Sequence, residues 1–201
     1  MFEEEINMLE GRIKIKDYLL KNGNTPIMIT AVHTVYQEHK DKFAEGYTGA
    51  ICQYVANKID AFYAIKCIDN GIDSNSIETD EFKEFVVSQI NKHNIKLIID
   101  LHGAKREREF DVEIGTLSGL SSDITVIKTL ETCFNNNGID NIAYNDPFKG
   151  GGITQAIFGN TDTDIIQIEI NGNFRDKHDL EKCEQICDSL IEFTKIFANF
   201  N

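Results

Sequence analysis

The sequence predicts an α/β fold with strands inside and helices outside, and three observations carry that prediction. Short β-branched runs alternate with segments of helical periodicity, the order that builds a sheet covered by helices. The run Lys96-Leu97-Ile98-Ile99-Asp100-Leu101 is almost continuously apolar, as suits a central strand buried on both faces. The chain has 201 residues, 41% of them hydrophobic and 26% charged, which supplies one core at ordinary globular composition. A single domain over residues 1–201 is therefore expected, and disorder and collagen-like structure are excluded.

The elements follow in order. The first 25 residues read equally as strand or helix, and the first clear strand runs from Pro26 to Val32. Thr48 to Ile59 is a surface helix, because Ile51, Val55 and Ile59 recur every four residues on one face. Ala61 to Ile68 is a second, more exposed strand. Thr79 caps the next helix, with Asp80 and Glu81 in its first turn against the positive end of the dipole. Its Phe82, Phe85, Val86 and Ile90 face inward, and Asn91 to Asn94 ends it. Beyond the central strand come strands from Phe110 to Ile114 and from Ile142 to Asn145. Between them lies a helix from Asp123 to Phe134, stopped by Asn135-Asn136-Asn137-Gly138. A short helical stretch follows Gly150-Gly151-Gly152, then a strand from Asp164 to Ile170 and a last helix over about Lys177 to Phe197. Six strands make one sizeable sheet, with no internal repeat and no low-complexity linker.

Charge narrows the function classes. With 33 acidic against 20 basic side chains the net charge is −13, a field that repels phosphate backbones, so nucleic acid is not expected as a partner. No apolar run approaches the roughly 20 residues of a membrane helix. The start Met1-Phe2-Glu3-Glu4-Glu5 is acidic where a signal peptide is basic, so a cytoplasmic, membrane-free protein is expected. Cys52, Cys67, Cys133, Cys183 and Cys187 form an odd, scattered set that reads as reduced thiols, the last two packing on one helix face.

In open α/β sheets ligands bind at the carboxyl ends of strands, and two histidines stand there. His33 follows the Pro26 to Val32 run, and His102 follows Leu101, with Gly103 opening a turn. Imidazole is the commonest catalytic zinc ligand, and such a site takes three protein ligands, often two histidines and a carboxylate, with a fourth position open. For the third ligand, Glu38, Asp41 and Glu45 are all near His33; Glu45, just before Gly46-Tyr47-Thr48-Gly49, is the favoured one. Asp100 points to the same side of its strand as His102 and either orients that imidazole or is a buried structural aspartate. Gln167 and Glu169 share a face of an otherwise apolar strand, which then lines a polar cleft or is an edge strand with one wet face. The loop Gly150-Gly151-Gly152-Ile153-Thr154-Gln155 is either an anion-holding turn at a helix start or simply a flexible one. Arg106 and Arg108 are either a solvated charged loop or a bidentate grip on a substrate carboxylate.

Taken in order, Ala31-Val32-His33, Glu45-Gly46-Tyr47-Thr48-Gly49, Ile99-Asp100-Leu101-His102-Gly103, Val112-Glu113-Ile114-Gly115-Thr116 and Ile166-Gln167-Ile168-Glu169-Ile170-Asn171 resemble the N-formylglutamate amidohydrolases and their relatives. The resemblance implies a zinc carboxypeptidase-related fold, phosphorylase/hydrolase-like, in which a mixed central sheet is flanked by helices. It also implies one Zn2+ held by His33, Glu45 and His102, with Glu169 as the catalytic carboxylate. Arg106, Arg108, Thr154 and Asn171 are expected on the substrate side. Two features depart from the family pattern: Val32 where a proline is usual, and Arg175 instead of an arginine directly after Asn171. The expected activity is zinc-dependent cleavage of an amide bond in a small acidic N-acyl amino acid such as N-formylglutamate, or in a related glutamyl compound. The alternative is a non-catalytic protein that binds a metal or a small acid on the same scaffold.

Overall fold

The computed structural model describes residues 17–76 and 79–200. Among these residues seven strands form one sheet: β1 Tyr18–Lys21, β2 Thr25–Ala31, β3 Ala61–Lys66, β4 Leu97–Ala104, β5 Val112–Gly115, β6 Ile142–Tyr144 and β7 Asp164–Asn171. Their spatial order is β1-β3-β2-β4-β7-β5-β6. The block β3-β2-β4-β7 is parallel, whereas β1 runs antiparallel to β3 and β5 antiparallel to β7, so the sheet is mixed. Among the described residues five α-helices cover it: α1 Thr48–Ile59, α2 Glu81–His93, α3 Ile124–Asn136, α4 Gly152–Asn160 and α5 Leu180–Phe200.

The core has two layers because β2, β4 and β7 are buried on both faces. On one side Ile29, Ile99, Leu101, Ile166 and Ile168 pack with Val55 of α1, Leu130 of α3 and Leu190 and Phe193 of α5. On the other, Met28, Ile98 and Ile165 pack with Phe82 and Val86 of α2 and Ile153 and Ile157 of α4. Alternation along a strand dictates this division, since odd and even positions of β4 point to opposite faces. The second layer is the shorter one. On that face Ile98 is followed by Asp100 and His102, and Ile165 by Gln167 and Glu169, so the apolar side chains give way to polar ones toward the strands' carboxyl ends.

Two expectations need correction. The strand after α1 is buried at all six positions rather than exposed, because β1 pairs along its outer edge; Cys67 and Ile68 lie beyond it. That covering strand comes from the ambiguous N-terminal region, of which residues 1–16 lie outside the described ones. The helix α2 is capped by Asp80, whose side chain accepts from the Lys83 amide, not by Thr79. The five cysteines are free thiols. Among the described residues no helix is long and apolar enough to cross a membrane.

Candidate metal centre

Strand ends and one helix start assemble the site. His33 lies two residues beyond β2, and His102 is within β4 next to Glu169 of β7 in the ladder. Glu45 is brought back to β2 by its own amide, which donates to the His33 carbonyl at 2.7 Å. Thr48 then caps the turn, its hydroxyl donating to the Glu45 carbonyl at 2.7 Å as α1 begins. The Gly103 amide fixes the carboxylate, donating to Glu45 Oε2 at 2.8 Å.

His33, Glu45 and His102 each present one ligand atom, and these atoms lie within 4.8 Å of one another. The inward atoms are Nδ1 of both rings, 3.2 Å apart, with Glu45 Oε1 2.9 Å from His33 Nδ1 and Oε2 3.4 Å from His102 Nδ1. The outward nitrogens are each held by a carboxylate: His33 Nε2 lies 2.9 Å from Asp73 Oδ1 and His102 Nε2 3.0 Å from Asp100 Oδ2. Asp100 is itself held by the Thr30 hydroxyl, 2.6 Å away. A carboxylate on the far nitrogen of each ring fixes its orientation and leaves the near nitrogen for a cation, as around bound metals. The donor set therefore fits a divalent ion: two imidazole nitrogens and a carboxylate, three protein ligands with room for a fourth.

Electrostatics agree. Burial opposes charge on His33 and His102, yet Asp73 and Glu45 raise the first imidazole, and Asp100 and Glu45 lift the second well above the usual range. Burial likewise opposes ionisation of Glu45, but both histidines hold its carboxyl well below the ordinary carboxylate value. Positive charge thus gathers around Glu45, the charge that a metal ion would supply there in place of protons. Lys42 joins it, with its Nζ 3.0 Å from Glu45 Oε1 and 3.1 Å from His33 Nδ1.

The triad opens into a cavity of about 390 Å³ whose lining includes Gln167, Glu169, Lys42, Lys105, Arg108 and Lys149. Of the two readings of Gln167 and Glu169, the cleft is the observed one: β7 is an interior strand between β4 and β5, and both side chains line the cavity. Glu169 is only 5% exposed, and Gln167 Nε2 donates to its Oε1 at 3.0 Å. Burial pushes its carboxyl up to about 7, with His102 opposing and the charges of Glu45 and Asp100 adding to the rise.

The four residues expected on the substrate side separate. Arg108 lines the cavity, its guanidinium 5.1 Å from the centre of the Phe148 ring. Arg106 turns away to Asp176, 2.6 Å distant, with half its side chain in solvent. Asn171 is buried and braces the loop that carries Arg108, donating to the carbonyls of Phe110 and Arg108 at 2.9 and 3.1 Å. Thr154 is fully buried under Gly150 and does not line the cavity. The three-glycine loop is held by protein acceptors at two of its amides and closely packed at its end. Gly151 donates to Gln167 Oε1 and Gly152 to the Asn75 carbonyl, and a Cβ on Gly152 would stand 1.6 Å from the Ser76 carbonyl oxygen. Asp73, Lys42, Lys105 and Lys149 are not marked in the sequence, since nothing in the spacing of a loop lysine or aspartate gives the direction of its side chain.

Residues 81–174 match the family model described as N-formylglutamate amidohydrolase. Over that segment, slightly less than half of its length, the chain is similar to that family. The matched segment contains His102, Glu169 and the strands that carry them, while His33 and Glu45 lie before it. Similar solved structures include N-formylglutamate amidohydrolase from Ralstonia eutropha JMP134, at 13% identity over 92% of this chain and 98% of that one, with a TM-score of 0.66. A bacteriophage poly-gamma-glutamate hydrolase matches at 15% identity over 98% and 97% of the two chains, with a TM-score of 0.61. A metallo-carboxypeptidase from Pseudomonas aeruginosa matches at 14% identity over 99% of this chain and 68% of that one, with a TM-score of 0.56. No curated protein matches the chain. At such identities these likenesses establish the fold, which is that of the zinc carboxypeptidase-like structures with a mixed sheet between helices.

Proposed function

We propose that the protein is a zinc-dependent amidohydrolase acting on an acidic amide: an N-acyl amino acid such as N-formylglutamate, or a related glutamyl compound. One observation carries the reading. The buried His33, Glu45 and His102 triad opens into the same cavity as the buried Glu169, and that cavity is rimmed by cations in a chain of net charge −13.

His33 Nδ1, His102 Nδ1 and Glu45 would hold the ion, and zinc suits two imidazoles and a carboxylate with an open position. When bound, it supplies Lewis acidity toward a carbonyl oxygen and toward water. Glu169 takes the proton of the attacking water and returns it to the departing nitrogen, a task served by a carboxyl that burial has pushed up to about 7. Arg108, Lys105 and Lys149 bind substrate carboxylates, which the overall negative field would otherwise repel. Arg108 is pre-oriented against Phe148 for a bidentate contact. The similarity of residues 81–174 to the N-formylglutamate amidohydrolase family model supports an amide as the scissile bond.

The test is turnover of a panel of N-acyl amino acids and short γ-glutamyl peptides by zinc-loaded protein, beside Glu169→Gln. Hydrolysis that is lost in the variant while zinc is still bound is the expected result. Stoichiometric zinc without hydrolysis of any member returns the protein to non-catalytic binding, and absence of zinc binding overturns the reading.

A further inference from the structure

The side chain of Arg175 reaches three separate segments, each adjoining a residue of the site. Its Nε donates to the Ile170 carbonyl at 2.8 Å, Nη2 to the Ala104 carbonyl at 2.8 Å and Nη1 to the Gly46 carbonyl at 2.5 Å. Ile170 follows Glu169, Gly46 follows Glu45, and Ala104 lies two residues beyond His102. None of these acceptors is a carboxylate. The guanidinium is spent on backbone oxygens at the ends of β4 and β7 and at the entry to α1, satisfying carbonyl groups on all three segments.

The sequence makes room for this group at one position. A Cβ on Gly103 would stand 2.5 Å from Arg175 Cζ and 2.6 and 2.7 Å from its two terminal nitrogens. Gly103 thus leaves a slot beside His102, and its own amide anchors Glu45. Buried near Glu45 and Glu169, the cation also offsets part of their mutual repulsion.

We propose that Arg175 is a positioning residue: its three-pronged clamp fixes the backbones behind Glu45, His102 and Glu169 relative to one another, and so sets the ligand geometry of the triad and the placement of the carboxyl beside it. A planar fork with five donors can hold three carbonyls on three segments, whereas a lysine, with one point of charge on a flexible stem, cannot reproduce it. The inference rests on the reading of the triad as a metal site.

The experiment compares wild type, Arg175→Ala, Arg175→Lys and Gly103→Ala by cobalt(II) titration, by the visible absorption of bound cobalt, and by amide hydrogen exchange of the metal-free proteins. The expected result for Arg175→Ala is a loss of cobalt affinity of about tenfold or more, on the scale of groups that orient metal ligands. An altered cobalt spectrum and faster exchange of the Gly103 amide should accompany it. Millimolar guanidinium should restore affinity to Arg175→Ala but not to Gly103→Ala, which lacks the slot. Arg175→Lys should remain impaired despite keeping its charge. Wild-type affinity, spectrum and exchange in Arg175→Ala overturn the clamp. If wild type binds no cobalt, the metal reading fails, and unchanged exchange at Gly103 in Arg175→Ala then overturns the clamp on its own.

Discussion

Replacing Glu169 by Gln in the metal-free protein should change how stability depends on pH. Burial raises the Glu169 carboxyl from its ordinary value of 4.5 to about 7. Between those values the native state keeps a proton that the unfolded chain has released. The favourable contribution is therefore complete below about 4.5 and is lost as pH rises through about 7, the opposite sense to that of a salt-bridged carboxylate. A shift of this size is worth about 3 kcal/mol, of which about 2 to 3 kcal/mol falls between pH 5 and pH 8. Glutamine keeps the shape and the contact with Gln167 but cannot ionise. In urea unfolding of chelator-treated protein across that range, wild type should lose about 2 to 3 kcal/mol relative to Glu169→Gln. Zinc should flatten the difference, because a cation beside the carboxyl favours its charged form. A stability difference that does not vary with pH, or that moves in wild type's favour as pH rises, would refute the account of Glu169 as a carboxyl kept protonated by burial.

Three further outcomes are expected. Asp73→Asn removes the carboxylate behind His33 Nε2 and should weaken zinc binding about 10- to 100-fold by calorimetry, with the fold intact by circular dichroism. Arg108→Ala should raise KM for an acidic amide by about tenfold or more, the scale of a lost hydrogen bond to a charged group, with kcat changed far less. Gly152→Ala must push the Ser76 carbonyl aside and should lower stability to urea by about 1 to 3 kcal/mol, as overpacking does.

Much of the site was legible because its parts sit where local rules put them. His33 and His102 follow apolar runs that can only be interior strands, and the ends of parallel strands are where such folds bind ligands. Gln167 and Glu169 stood out as polar side chains in a strand otherwise built for burial, and β7 proved to be interior. Glu45 could be favoured only weakly from spacing; its amide bond to the His33 carbonyl, which closes the loop, is a tertiary fact. Arg106, Thr154 and Asn171 belong to the same motifs as true cavity residues, yet one side chain points to solvent and two point into the protein. A motif gives the neighbourhood of a residue, not the direction of its side chain.

The sequence by itself determined the α/β class, the central strands, the helix α1 to the residue and the pair of strand-end histidines, because each depends on periodicity or on a run of one chemical type. Only the tertiary structure decided that β1 covers the outer edge of β3 and that Asp73 stands behind His33. The same holds for Lys42, Lys105 and Lys149 rimming the cavity and for Arg175 reaching three backbones at once. Many of those contacts join residues separated by tens of positions, such as His33 with Asp73 and Arg175 with Gly46 and Ala104. They follow from which strands lie side by side, and no local pattern in the chain encodes that arrangement.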